Sequence, residues 1–255
     1  MNLSYHLKEV ESVLTVRSRG NGYSKYLPED YVGSGKSKLK FLNLRVPQIR
    51  EVRKKGFSFS KEESEKLWKI WDYVWMKSEI YEALLCASHF ANSRPLEEVV
   101  QNRKLLLRWV KRVDNWALSD EMSCLYAKLF EADPSAMMPF FEKWNISRNP
   151  WEARQSVVGL MFYSRFRKRY PAFSLMSRFI SNLMDHDHFY VQKGVGWAIR
   201  ECWNVYPEKT MKIIEKHVRE IPPAGWTAAT EKLPKDLKAE LMKKRKSPTS
   251  SSRNS

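Results

Sequence analysis

Proline marks where helices begin along this chain. Asp133-Pro134, Asn149-Pro150 and Tyr206-Pro207 each place a ring-fixed φ at a first helical turn, where the missing N–H has no partner to lose. Asp133 and Asn149 also offer a capping oxygen. Behind each proline the apolar residues recur with a period near 3.6, as in Val157, Val158, Leu160, Met161 and Phe162 after Pro150 and in the run from His188. Further helices are expected around 4–17, 45–55, 61–77, 79–92, 95–112, 119–131, 135–144, 171–185, 207–219 and 235–245. With only nine glycines and no alternating Val, Ile and Thr between turn signals, a sheet has little to be built from. The fold class is all-α.

Helices of this length, joined by short turns and recurring at intervals of roughly 35 to 45 residues, suggest stacked antiparallel pairs of the HEAT or armadillo kind. The expected architecture is a right-handed α-solenoid whose concave face offers a groove to an extended partner. Residues 18–38, with Gly20, Gly22, Gly33 and Gly35, read as a loop or hinge. A single domain over 1–230 is expected to be followed by a basic helix and a disordered Ser-rich tail, KSPTSSSRNS, within 231–255.

The formal charge is +16, from 45 basic and 29 acidic residues. The eight basic and three acidic residues from Glu231 onward supply +5 of it, which leaves +11 on the rest of the chain. A folded body so charged attracts polyanions, of which phosphate backbones are the commonest. No stretch approaches the roughly 20 apolar residues of a spanning helix, and Met1 to Leu14 is interrupted by Lys8, Glu9 and Glu11, so neither secretion nor insertion is expected. Cys86, Cys124 and Cys202 are scattered and odd in number, which fits reduced thiols in a cytosol.

Two tempting motifs fail. GSGKS at 33–37 ends like a phosphate loop, but Asp30 stands where that motif needs glycine and no strand precedes it. His186-Asp187-His188 puts two imidazoles at i, i+2, where they diverge on a helix, so a helix start capped by Asp187 is the expected reading. No GxSxG occurs and no cysteine neighbours a histidine in sequence.

Of the ten tryptophans, Trp68, Trp71, Trp75, Trp109 and Trp144 stand among apolar neighbours and read as core. Trp116, Trp151 and Trp197 each stand near an ionisable side chain. Trp116 and Asp120 are four apart, one turn if the helix reaches back that far; Trp151 and Arg154 are three apart; Lys193, Trp197 and Arg200 follow i, i+4, i+7. Spacing alone leaves two readings open, a core with solvated charges or a groove on which bases, sugars and phosphates stack and pair. Gly194 and Gly196 within one helix imply a close backbone approach, to another helix or to a ligand.

These segments, in order, resemble the DNA alkylation repair glycosylases of the AlkD type, a family of HEAT-like helical repeats. The likeness covers about residues 25–222. It begins at FLNLRVPQIREV (41–52), runs through LWKIWDYVWMKSEIYEALLCA (67–87), and is most specific at VDNWALSDEMS, NPWEARQSVVG and FYVQKGVGWAIRE. The resemblance implies that Asp120 is the catalytic carboxylate with Trp116 one turn before it, that Arg154 is the groove arginine clamping a phosphate, and that Trp197 is the second aromatic of the cleft. Arg45, Tyr190, Lys193 and Arg200 are the further expected DNA contacts. Trp151 falls back toward packing.

The implied reaction is hydrolysis of the N-glycosidic bond of N3- or N7-alkylated purines in duplex DNA, by a monomer in the cytoplasm, with no metal and no cofactor. A purine alkylated there is cationic and leaves readily, so a carboxylate that stabilises the sugar cation and directs water to C1′ is sufficient. No deep base pocket is readable, and the resemblance implies excision without seating the base, hence tolerance of bulky adducts. A non-catalytic binder of damaged or branched DNA and a protein-binding scaffold are the alternatives.

Overall fold

A computed structural model of the protein describes residues 2–19, 27–34 and 36–247. It is 74% helix, and the described residues contain no strand. The all-α expectation holds. The chain divides into two compact units, Met1–Ala132 and Asp133–Ser255.

In the first unit, α1 (Leu3–Ser18) packs on α2 (Val46–Lys55) and α3 (Ser64–Lys77), α3 on α4 (Tyr81–Ser93), and α4 on α7 (Trp116–Ala132). The span 95–112, expected as one helix, is broken into α5 (Leu96–Gln101), α6 (Arg103–Trp109) and a 3₁₀ turn, Val110–Arg112. Asn102 makes the break: it leaves helical geometry at φ −94°, ψ 15°, and its side chain donates back to the Glu98 carbonyl at 2.9 Å. Inside the expected 18–38 loop, Glu29–Gly33 forms a π-helical turn; Gly20, Gly22 and Gly35 lie outside the described residues. The tryptophans of α3 fill the interior: Trp68 donates its indole N–H to Glu98 at 3.1 Å, Trp75 stacks on Trp109 at 4.6 Å and donates to its carbonyl, and Trp109 in turn donates to Asp72.

In the second unit, α8 (Pro134–Asn145) and α9 (Pro150–Met161) start at the prolines the sequence points to. Asp133 accepts from the Ala136 amide at 3.0 Å and Asn149 from that of Trp151 at 2.9 Å. Then follow α10 (Phe173–Asn182), α11 (Phe189–Val205), α12 (Pro207–Lys216), α13 (Pro223–Ala229) and α14 (Lys235–Lys246). The tail beyond Ser247 lies outside the described residues. Helix α11 is the hub, packing on α9, α10, α12 and α13. Its N-cap is His188, not Asp187, and His188 makes no side-chain cap; the His188 amide instead donates to His186 Nδ1 at 3.0 Å.

Gly196 explains how α11 and α13 come so near. A Cβ there would stand 2.0 Å from the Gly225 carbonyl oxygen. Close backbone packing, not a ligand, occupies that face.

Candidate functional site

Helix α7 extends back to Trp116 because Asn115, itself buried, accepts from the Leu118 amide through its side chain (3.0 Å) and from the Ser119 amide through its carbonyl (3.1 Å). Trp116 and Asp120 therefore stand one turn apart on the same helix, both half-buried. They line a cavity of about 640 Å³ within the first unit. Tyr81, Leu85 and His89 enter it from α4 at i, i+4, i+8 spacing; Leu27, Pro28, Tyr31 and Val32 form a third wall; Leu44, Arg45, Val46 and Arg50 close it from the start of α2. The lining is chiefly apolar, with Asp120 and Glu121 as carboxylates and Arg45 and Arg50 exposed at the edge.

The walls are fixed by polar bonds behind them. Trp116 Nε1 donates to the Tyr31 carbonyl at 3.2 Å, and the Tyr31 ring, 70% exposed, meets the indole edge-on at 5.2 Å. The Arg45 segment is held from below by Glu82, fully buried in α4, whose carboxylate accepts from the amides of Leu42 (3.0 Å) and Leu44 (3.1 Å). Burial pushes the Glu82 carboxyl above its ordinary range, against backbone amides that pull it down. Between those two amides Asn43 takes the left-handed conformation, φ 57°, and its side chain accepts from the Glu29 amide at 3.0 Å, which ties the π turn to the same loop.

In the second unit, Arg154 is only 6% exposed. Its Nη1 donates to the Tyr190 carbonyl at 2.9 Å, and a Cβ on Gly194 would come within 3.0 Å of that nitrogen, so glycine makes room for the guanidinium. The Tyr190 ring stacks on Trp151 at 5.5 Å, and Trp151 is buried. Trp197, half-buried, stacks on Phe162 at 5.8 Å with the Arg200 guanidinium 5.2 Å from its ring centre.

The i, i+4, i+7 stripe is not continuous. Lys193 lies over the Phe189 ring at 5.5 Å rather than over Trp197, and Arg200 is ion-paired to Glu201 (2.9 Å) and Glu231 (2.8 Å). Trp116, Asp120 and Arg45 thus share one cavity, while Arg154 with Tyr190 and Trp197 with Arg200 form two contacts of the second unit. Sequence reading missed Tyr31, His89, Glu82 and Phe162. For the first three no local signal exists; Phe162 reads only as one apolar position of a helix. Among the described residues no three His, Cys, Asp or Glu side chains gather as a metal site, and no helix is long and apolar enough to cross a membrane.

The fold is that of AlkD-type helical-repeat structures. A predicted DNA alkylation repair enzyme from Enterococcus faecalis superposes with a TM-score of 0.62 at 18% identity, over 78% of this chain and 90% of that one. AlkD2 from Streptococcus mutans superposes with a TM-score of 0.55 at 14% identity, over 88% of this chain and 98% of that one. No curated protein matches the sequence. Residues 19–233 match the DNA alkylation repair enzyme family, and the chain belongs to it. Membership gives it a role in DNA repair, with DNA as its substrate.

Proposed function

We propose that this protein is a DNA glycosylase that hydrolyses the N-glycosidic bond of cationic N3- or N7-alkylated purines in duplex DNA. One observation carries the reading: Asp120 and Trp116 stand half-buried, a turn apart, in a largely apolar cavity edged by arginines. A carboxylate in such surroundings acts on a nearby positive charge more strongly than it would in water.

The C1′–N bond breaks with its electron pair passing to the base, which neutralises the alkylpurine's charge. Asp120 stabilises the sugar cation and orients a water whose oxygen attacks C1′; that water's proton passes to the carboxylate or to solvent. Trp116 offers its face to the cationic sugar edge. Arg45 meets the phosphate backbone at the cavity edge. In the second unit Arg154, largely buried with its guanidinium oriented by the Tyr190 carbonyl, presents its small exposed edge to a DNA phosphate, and Lys193 adds a charge at the surface. Arg200, offset by Glu201 and Glu231, serves chiefly to hold the Trp197 ring.

Incubating the protein with methylated duplex DNA and identifying the released bases tests this. Release of 3-methyladenine or 7-methylguanine, with none from a uracil-containing duplex, is the expected result. Tight binding without release would leave a binding protein, and equal release of uracil would remove the dependence on a cationic leaving group.

A further inference from the structure

In the second unit the segment 162–170, FYSRFRKRY, carries four cations and no carboxylate, interleaved with aromatic rings. Phe166 is 72% exposed and Tyr163 44%. They are held in place. Phe166 leans on Tyr163 at 6.3 Å, and Tyr163 meets Trp197 edge-on at 6.0 Å. The Arg165 guanidinium lies 4.7 Å from the centre of the Phe166 ring and 5.8 Å from that of Tyr163.

The backbone beneath is strained and pinned. Tyr163 sits in the left-handed region, φ 42° and ψ 65°, which an aromatic residue adopts only when its surroundings impose it. What imposes it is Glu201: its buried carboxylate accepts from both the amide (2.8 Å) and the hydroxyl (2.7 Å) of Ser164. The Tyr170 hydroxyl closes the other side, its single proton shared between the Ser164 and Arg167 carbonyls at 3.1 and 2.9 Å. Behind the rings a polar cavity of about 270 Å³ is lined by Tyr163, Arg165, Trp197, Asn204 and Lys232, among others.

We infer that this segment is a second DNA contact, in which Phe166 and Tyr163 stack an unpaired base while Arg165 and its neighbouring cations meet the adjoining phosphates. Flat rings capped by a guanidinium suit the π-faces that every base presents. The same covering argues against insertion into a lipid surface, since the charged group lies on the ring that would have to enter hydrocarbon. The inference rests on DNA being the substrate and not on the glycosylase chemistry.

The test is fluorescence anisotropy on the full chain with two probes, a fully paired duplex and the same duplex with one base left unpaired opposite an abasic analogue. The wild type is expected to prefer the second. Phe166→Ala is expected to weaken binding of that probe by about tenfold, the loss of one stacked base, and to leave the paired duplex nearly unchanged. The double variant Arg165→Gln, Arg169→Gln is expected to weaken both and to reduce the slope of log K against log salt by about 2. A wild type without the preference, or a Phe166→Ala protein that keeps it, would overturn the inference. So would binding to phosphatidylglycerol vesicles that Phe166→Ala abolishes while DNA affinity stays intact. Base release from methylated DNA is measured in parallel. Its absence, with the binding effects as expected, would defeat the proposed chemistry and leave this contact standing.

Discussion

Asp120→Asn is expected to slow base release from methylated duplex DNA by about 10²- to 10⁴-fold at saturating protein, with DNA affinity changed by no more than about twofold. The substitution keeps shape and volume and removes the charge. Asp120 is half-buried on the second turn of α7, whose start is fixed by Asn115, so the helix has no reason to move. A cationic alkylpurine depurinates slowly without any catalyst, and that spontaneous rate sets the floor. Single-turnover measurement with protein in excess separates the chemical step from product release. Equal rates for both proteins would take the carboxylate out of the reaction and leave Trp116 and the arginine edge as a binding surface.

Gly196→Ala should lower stability by about 3 kcal/mol or more, the largest structural effect expected of any single methyl group here. The added carbon would lie 2.0 Å from the Gly225 oxygen and 2.5 Å from its Cα. Main-chain atoms cannot rotate aside, so α11 and α13 must separate and the apolar residues between them lose contact. Gly225→Ala meets the Gln192 carbonyl at 2.6 Å and should behave alike. Gly194→Ala is the informative contrast: it meets the Arg154 Nη1 and Val158 Cγ2, both side chains, and should disturb the guanidinium more than the fold. Thermal unfolding of the three variants would show it. A Gly196→Ala midpoint within about 2 °C of the wild type would mean that the helices part easily, since about 3 kcal/mol in a chain this long corresponds to roughly 10 °C.

Most of the helical order was legible because its determinants are local. Asp133 and Asn149 cap the amides two or three residues ahead, and the prolines behind them fix the first turn. The pairing of Trp116 with Asp120 was legible for the same reason, once the helix was allowed to reach Asn115. What stayed hidden depends on residues far apart in the chain. The cavity beside Asp120 has walls near positions 30, 45 and 85, and no spacing rule connects them to α7. The hold of Glu201 on Ser164 spans 37 residues. Lys193 turns to Phe189 rather than Trp197 because side chains on a helix lean toward its N-terminus, which favours the ring at i−4, a direction that spacing alone leaves out. The segment FYSRFRKRY did carry a readable sign, its alternation of cations and rings.

Glu82 has a consequence for how freely this region can change. It grips the loop before α2 by main-chain amides, and an amide is the same whatever side chain its residue carries. Leu42, half-buried, could be exchanged widely, proline excepted, and Arg45 would still be delivered to the rim of the cavity, whereas Leu44 is constrained by its own burial as well. Much of that loop's path is set some 40 positions downstream, by one acid, with the Asn43 side chain and the Lys40 backbone adding ties of their own. Anyone transplanting the loop into another helical scaffold would have to carry that acid along with it.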